Sequence, residues 1–252
     1  MILGFIKMIT DTEYATKVDL AACYRLMVKY GMTDIIYNHI TAQVPGNEKL
    51  FFINGMGLHY SEVCASNLYT VDLEGTIVQK PDLPYGISRA GYVIHSAIHA
   101  ARDDVRCIIH THTRAGMAVS SLKEGLLPLT QTAMRFYERI AYHDYEGPAV
   151  DKDEQKRLVA DLGSHNAMIL RNHGLLTCGT TVAEAFNLML WLETACKAQV
   201  DTLAMGRDII VPDEVVLNRT ARLYDPDVRK FGQLEWEAML RLLDRDDPSY
   251  RD

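Results

Sequence analysis

Apolar residues recur along the chain with two different spacings. Residues 11–30 and 90–102 carry them at helical spacing, whereas residues 39–44, 50–53 and 68–78 form short runs bounded by Gly and Asn. Such runs are typical of β-strands. Several predicted strands follow one another directly, without a regular βαβ rhythm. This order predicts an α/β protein built around a mixed or mainly antiparallel sheet.

The second half of the chain continues the pattern. A buried strand is predicted over residues 105–112, followed by a helix from residue 114, and two strands over 166–179 meet at Asn172 to Gly174. Glycine and asparagine favour such turns. A further helix is predicted over residues 151–163, where acidic residues occupy the first turn and Gly follows the end.

Residues 182–206 predict the longest helix. Thr181 and Glu184 have the spacing of a capping box at its start. The tail from about residue 207 is polar and punctuated by Pro, with one helical pattern over 234–245 and an acidic end expected to be solvated. No linker is evident, so we expect a single domain over 1–252, with a core of about 13–205 and an extension of about 207–252.

Composition narrows the class of protein. The net charge is −7, which argues against a broad nucleic-acid interface. No apolar run is long enough to span a membrane, and the N-terminus lacks the features of a secretory signal. The five cysteines are scattered without a CxxC pair, which favours free core cysteines in a reducing cytoplasm. The sequence therefore predicts a cytoplasmic protein without nucleic-acid or membrane partners.

Residues 106–114, RCIIHTHTR, carry the first sign of chemistry. On a strand, His110 and His112 project from the same face. Alone, this pair fits an ordinary hydrogen-bonded strand end as well as a metal site. A third candidate, His173, lies at the predicted turn before Gly174, where glycine permits close backbone approach. Three imidazoles with no fourth protein ligand are typical of a catalytic metal site rather than a closed structural one.

The order of these motifs resembles the class II aldolase/adducin family over roughly residues 13–205. The resemblance rests on YNHITAQVPG, INGMGLHYSEV, VDLEG, HSAIHAARDDVRCIIHTHTRAG and LRNHGLLTCG. It implies a three-layer α/β/α fold around a mainly antiparallel sheet. It also implies a homotetramer with active sites at subunit interfaces, and a divalent metal on His110, His112 and His173. Zinc is the expected metal, with manganese, iron and cobalt as alternatives.

The chain departs from the family's sugar-phosphate enzymes at three places. Their Ser-Ser-Glu element corresponds to Arg89, Ala90 and Gly91, so its catalytic carboxylate and phosphate-binding hydroxyls are missing. A Thr-Gly pair that binds phosphate corresponds to Met56 and Gly57. The acid/base Asp of the related epimerases falls near Met134, in the TAMRFYER stretch. A phosphorylated sugar is therefore not the expected substrate.

A metal site without these partners still suits cleavage of a carbon–carbon bond. Retro-aldol cleavage and decarboxylation both pass through an enolate or its equivalent, whose charge a Lewis acid stabilises. The resemblance thus implies a metal-dependent lyase, of aldolase or decarboxylase type, that acts on a small non-phosphorylated carbonyl or carboxylate compound.

Two residues are candidates for moving the proton. His95 lies four residues after Gly91, on the same face of the predicted helix, and histidine titrates near neutral pH. His95 and the neighbouring His99 can equally be packing residues between helix and sheet. Tyr137, near Arg135, lies in a stretch that reaches a neighbouring subunit's active site in the family. A core tyrosine is the alternative interpretation.

Substrate contacts are expected from three further residues. The resemblance implies Asn38 and Gly57, with His59 and Tyr60 as additional pocket residues. Arg114 follows closely after the histidine pair, and its guanidinium can bind a carboxylate through two parallel hydrogen bonds, as a bidentate pair. A surface ion pair is an equal alternative for Arg114.

Two other functions remain open. Three imidazoles also suit iron, so an oxygenase on the same scaffold is one alternative. A non-catalytic, adducin-like interaction module is the other. Adducin-like relatives characteristically lack the three histidines that this chain keeps, and the chain lacks a basic tail.

Overall fold

The computed structural model describes residues 2–147, 152–226, 228 and 230–252. These residues form eight strands: β1 (His39–Val44), β2 (Asn47–Ile53), β3 (Tyr69–Asp72), β4 (Ile77–Gln79), β5 (Cys107–Thr111), β6 (Ala141–His143), β7 (Ala167–Leu170) and β8 (Gly174–Gly179). The described helices are α1 (Ile2–Lys29), α2 (Arg89–Ala101), α3 (Arg114–Ser120), α4 (Gln131–Met134), α5 (Lys152–Leu162), α6 (Val182–Ala204), α7 (Glu214–Arg222) and α8 (Gln233–Asp246). Three short 3₁₀ helices cover Tyr60–Glu62, Ala65–Asn67 and Pro248–Arg251.

All eight strands belong to one sheet, in the order β4-β3-β2-β1-β5-β8-β7-β6. Neighbouring strands are antiparallel except β6 and β7, which are parallel. The predicted mainly antiparallel sheet is therefore confirmed. β5 lies near the centre, between β1 and β8, so residues at its end are close to both neighbours.

The two faces of the sheet are covered by different helices. Alternate residues of β5 show this directly, since successive side chains on a strand point to opposite faces. Cys107 and Ile109 join an apolar cluster with residues of α1 and α6. Ile108 joins a second cluster with residues of α2 and α5. The protein thus has the expected three-layer α/β/α architecture.

Most predicted elements are present. β1 has the predicted bounds, whereas α1 begins at Ile2, well before residue 11. The helices α4 and α7 and the strand β6 were not expected. β6 has three residues, which is too short for a recognisable alternation of apolar and polar positions, and it pairs in parallel with β7. At α6, the Thr181 hydroxyl accepts the Glu184 N–H, but the Glu184 carboxylate accepts the N–H of Thr180, so only half of the capping box forms.

The prediction of a solvated end over residues 244–252 is right for residues 244–248 and 252, which are exposed, and wrong for Tyr250. The Tyr250 ring is fully buried, and its hydroxyl donates to Asp244 Oδ1 at 2.7 Å. Trp236 of α8 donates from its indole nitrogen to Asp19 of α1 at 2.9 Å. These two aromatic rings and Leu243 of α8 belong to the same apolar cluster as residues of α1, and their burial fixes the tail against that helix.

All five cysteines are free, and four of them are buried. This confirms the prediction of free cysteines, and that of small core residues for all but Cys64, which is partly buried. Among the described residues, no helix is both long and apolar enough to cross a bilayer.

Candidate metal centre

Two backbone features bring the three histidines together. β5 pairs with β8 in a register that places Thr111 opposite Leu175, so the three-residue turn between β7 and β8 lies beside the end of β5. At Gly174, an added Cβ would lie 2.2 Å from the Thr111 carbonyl oxygen. Only glycine fits this close approach, as the sequence indicated. Asn172 takes a left-handed conformation with φ of 55°, which asparagine tolerates better than most residues.

The three imidazoles face one another through their Nε2 atoms. The distance from His110 Nε2 to His112 Nε2 is 2.8 Å, and that from His112 Nε2 to His173 Nε2 is 2.9 Å. One ring nitrogen from each of the three lies within 4.8 Å of the others, as in a metal-binding group. The structure therefore assembles the three histidines that the sequence singled out.

Hydrogen bonds at the opposite ring nitrogens set the tautomers. His110 Nδ1 lies 2.9 Å from the Leu175 carbonyl oxygen, and His112 Nδ1 lies 3.0 Å from Asp34 Oδ2. Both oxygens only accept hydrogen bonds, so each Nδ1 donates and a neutral ring keeps a bare lone pair on Nε2. Lone pairs at such short separations repel one another unless a cation lies among them.

The ionisation of the rings fits the same interpretation. Burial lowers the pKa of His110 well below its ordinary value and that of His173 to about 4. Both rings are thus neutral near pH 7, the form that binds metal. Neutral imidazoles fit Zn²⁺ and other nitrogen-preferring divalent ions.

Asp34 was not identified from the sequence. It lies in the loop before β1, and nothing in its local pattern distinguishes it from an exposed loop carboxylate. Its position reflects tertiary structure: the carboxylate meets a histidine 78 residues further along the chain. A carboxylate at this place orients the ring and makes its other nitrogen a stronger ligand.

A cavity of about 390 Å³ opens onto the histidines. Besides the three rings it is lined by Tyr37, His39, Ser88, Gly91, Ile94, Met117, Tyr145, Gly147 and Asn172. No lysine or arginine belongs to this set of described lining residues. The polar groups among these lining residues are therefore imidazoles, the hydroxyls of Tyr37, Ser88 and Tyr145, and the amide of Asn172.

His39 was also missed by the sequence analysis. β1 pairs with β5 so that His39 lies directly opposite His110, and opposite residues share a face of the sheet. Its ring centroid is 5.5 Å from that of His110. Burial lowers the pKa of His39 to about 3. The family resemblance singled out the adjacent Asn38. The position of His39 depends on the register of β1 against β5, which the sequence alone does not define.

Gly91 leaves the space that His39 fills. An ideal Cβ built on Gly91 would lie 2.7 Å from Cγ of the His39 ring. The position where the family resemblance expects a carboxylate, in α2, is thus occupied by an imidazole from β1. The side chains of Arg89 and Ala90 lie outside the described part of the structure.

His95 and His99 lie behind His39 and are not among the residues lining the cavity. The Thr41 hydroxyl oxygen is 2.7 Å from His95 Nδ1 and 2.9 Å from His99 Nε2. The His95 ring packs 4.3 Å from that of His39. Direct proton transfer by His95 stays a prediction, and this position makes it a support for His39.

The predicted substrate residues occupy varied places. Asn38 is buried and donates from Nδ2 to the His110 carbonyl oxygen at 3.4 Å, so it holds the backbone of a candidate ligand. Arg114 begins α3 and is exposed. Gly57 has φ of 126°, and an added Cβ would lie 2.6 Å from the Tyr85 ring. None of the three is among the described residues lining the metal cavity.

The remaining candidates lie elsewhere in the protomer. Tyr137 lines a separate cavity of about 230 Å³. Arg135 is buried among the rings of Trp191, Tyr224 and Phe231. His59 caps the 3₁₀ helix Tyr60–Glu62, and the Tyr60 ring meets Tyr24 edge-on. Within the described part of one protomer, none of these residues lines the metal cavity.

Comparisons with known proteins agree with this architecture. Residues 18–200 match the family described as Class II Aldolase and Adducin N-terminal domain. A crystal structure of an aldolase II superfamily protein from Pseudomonas syringae has a TM-score of 0.89 and 46% identity, covering 95% of this chain and 96% of that chain. The L-fuculose 1-phosphate aldolase from Glaciozyma antarctica has a TM-score of 0.85 and 30% identity, covering 97% and 94%. Rat alpha-adducin is 41% identical over 92% of this chain, which spans 33% of that protein.

Proposed function

This chain belongs to the class II aldolase and adducin family, and we propose that it is a divalent-metal-dependent lyase. The proposed reaction is cleavage of a carbon–carbon bond, by retro-aldol chemistry or decarboxylation, in a carbonyl or carboxylate compound without phosphate. The observation that carries the proposal is the convergence of three Nε2 atoms, two of them with Nδ1 hydrogen-bonded to an acceptor.

Each described residue has a definite part in this proposal. His110, His112 and His173 hold the ion, for which zinc is expected and manganese, iron or cobalt are alternatives. Asp34 and the Leu175 carbonyl fix the orientation of two rings. The ion, when bound, supplies a Lewis acid that stabilises negative charge developing on a substrate oxygen. Three protein ligands and an adjoining cavity of about 390 Å³ leave room for that oxygen.

The surroundings of the site favour a substrate without phosphate. Among the described lining residues of the cavity, which leave out the side chains of Arg89 and Ala90, none is an arginine or lysine. Phosphate sites usually use such cations or free backbone N–H groups. At the Met56–Gly57 turn, the Met56 N–H donates to the Gly86 carbonyl oxygen at 2.8 Å. The Tyr85 ring packs over Gly57. The Met56 N–H is therefore bonded and Gly57 is covered, which supports the loss of a phosphate cradle.

A matched substrate panel tests the proposal. β-Hydroxycarbonyl and β-oxo acid compounds, each with and without a terminal phosphate, are incubated with protein purified without chelator, and aldehyde and carbon dioxide release are measured. We expect cleavage of the unphosphorylated members only, loss of activity after chelation and recovery with zinc. Cleavage that survives complete metal removal, or that requires phosphate, contradicts the proposal.

An interaction module without catalysis is the second candidate, because rat alpha-adducin is 41% identical to this chain. The assembled three-histidine group argues for the lyase. Metal analysis separates the two: a non-catalytic module predicts negligible divalent metal in protein purified without chelator, whereas the lyase predicts a stoichiometric ion.

We also propose a homotetramer in which a neighbouring subunit completes each active site. Tyr137 supports this arrangement, because it lines a different cavity from the histidines of its own protomer. Mixing the inactive variants His110→Ala and Tyr137→Phe tests it. Hybrid tetramers with one intact composite site should regain part of the activity. Light scattering that gives a monomer, or mixtures that remain inactive, contradict the arrangement.

A further inference from the structure

The cavity beside the metal centre is lined by His39, a histidine that has no role in the proposed lyase chemistry described above. His39 is 4% exposed, yet its ring is among the residues lining the cavity. Neither of its ring nitrogens makes a hydrogen bond of ordinary geometry among the described residues, although backbone groups of Tyr37 and Gly91 lie near enough to raise its pKa against the larger effect of burial. A buried polar group without a partner costs free energy. Such a group beside a ligand cavity therefore points to a contact that the bound ligand supplies.

The ring is held in place by packing on two sides. The His95 ring lies 4.3 Å away between centroids, and His95 is itself held by the Thr41 hydroxyl at 2.7 Å. On the other side, the missing side chain of Gly91 leaves room for the ring, since a Cβ there would come within 2.7–2.9 Å of three ring atoms. A ring fixed in this way can contact a ligand with little loss of conformational entropy.

The register of the sheet places His39 next to the candidate metal ligands. It is the direct cross-strand partner of His110, with ring centroids 5.5 Å apart. A substrate oxygen held at the open side of the three-histidine group therefore lies in the cavity that the His39 ring also lines.

We propose that His39 is a substrate-contacting residue, whose imidazole forms a hydrogen bond with the carboxylate or carbonyl oxygen of the metal-bound substrate. The inference rests on the proposed function, because it assumes a metal-bound oxygen ligand. Gly91 is the residue that makes room for this contact, and His95 is a positioning residue for the ring.

Oxalate binding to zinc-loaded protein tests the contact without requiring a known substrate. Oxalate is a small dicarboxylate that resembles a planar enolate. In His39→Phe, which keeps a ring of similar size, we expect oxalate affinity measured by calorimetry to fall by about tenfold or more, as for a lost hydrogen bond to a charged group. Zinc content should be unchanged. His165→Phe makes the same chemical change outside the cavity and should bind oxalate like the wild type.

The outcomes separate this inference from the proposed function. Equal oxalate affinity in the wild type and His39→Phe, at equal zinc content, overturns the role of His39 and leaves the lyase proposal standing. Wild-type protein that takes up no zinc overturns both. If His39→Phe does not fold, ¹⁵N spectra of the wild-type histidine rings decide: oxalate should shift the His39 signals, and unchanged signals overturn the contact.

A double-variant cycle tests the relation between Gly91 and His39. Gly91→Ala should lower the melting temperature by several degrees, because its Cβ meets the ring. Adding His39→Ala should restore part of that loss, whereas independent sites would add their effects. Additive losses overturn the claim that Gly91 makes room for this ring.

Discussion

The two faces of the central sheet differ sharply, and β5 shows the contrast within five residues. Cys107 and Ile109 face α1 and α6 in an apolar cluster. On the opposite face, His110 belongs to a row of histidines that continues across β1 and α2. Both faces contribute stability through apolar burial, but the second face also carries the candidate chemistry. A strand's period of two thus allows one segment to serve both purposes.

Among variants that test the contrast between the two faces of the sheet, removal of a candidate metal ligand should have the largest effect. His110→Ala should lower metal affinity by more than about 100-fold and abolish activity, since removing only a supporting residue costs 10–100-fold. Its neighbour on the apolar face provides the control. Ile109→Val should cost about 0.5–1.5 kcal/mol of unfolding free energy and leave metal content unchanged. Metal stoichiometry and urea unfolding of the two variants check this pair; comparable metal loss in both contradicts the division of the faces.

The apolar face is tested at α6. Met189 is fully buried in the cluster beneath β5. Met189→Ala should lower the unfolding free energy by about 2–5 kcal/mol, because it leaves a cavity in a packed core. The folded fraction should still bind a full equivalent of metal. Selective metal loss without loss of stability would falsify the assignment of this face to stability.

Asp34 provides a finer test on the face of the sheet that carries the histidines. Asp34→Ala removes the acceptor of the His112 Nδ1 hydrogen bond and should weaken metal affinity by about 10–100-fold. The melting temperature of the metal-free protein should change little, because the residue lies in a partly exposed loop. Asp208→Ala, in an exposed segment, is the matched control. Competition with a chelator of known affinity measures the metal affinity of both variants. Equal metal affinities would show that Asp34 does not support the metal centre.

The buried histidines also predict acid sensitivity. Burial lowers the pKa of His99 to about 3 from an ordinary 6.5. Between these values the unfolded chain binds a proton that the folded protein does not. Stability is therefore lost as the pH falls through this window, by up to about 1.4 kcal/mol per pH unit for one such group.

His99→Leu should flatten this dependence. The variant loses its bond to Thr41, but its stability should change less between about pH 7 and pH 5 than that of the wild type. Urea unfolding at both pH values checks the slope. Identical slopes would mean that His99 is already protonated in the folded protein or stays neutral after unfolding.

Most of what the sequence predicted depends on local pattern, although the local pattern of α7 was missed. Alternation in β5 placed His110 and His112 on one face, and Gly174 marked the close approach that brings His173 to them. Asp34 and His39 depend on strand register and a loop contact between distant residues, which local periodicity does not encode.

The C-terminal segment illustrates the same limit. Its charges suggested a solvated end, but Tyr250 and Trp236 decide its position. Two buried rings outweigh several exposed charges, because each ring removes a large apolar area from water. The separate cavity that Tyr137 lines was not predicted either. The family resemblance relates Tyr137 to a neighbouring subunit's active site, and it does not say where the residue lies within its own protomer.

Anomalous diffraction at the zinc edge, from crystals of protein purified without chelator and supplied with zinc, tests the central claim most directly. The account predicts one strong peak among His110, His112 and His173, about 2.0–2.1 Å from each Nε2. Absence of a peak, with the three rings hydrogen-bonded to one another or to water instead, would contradict it.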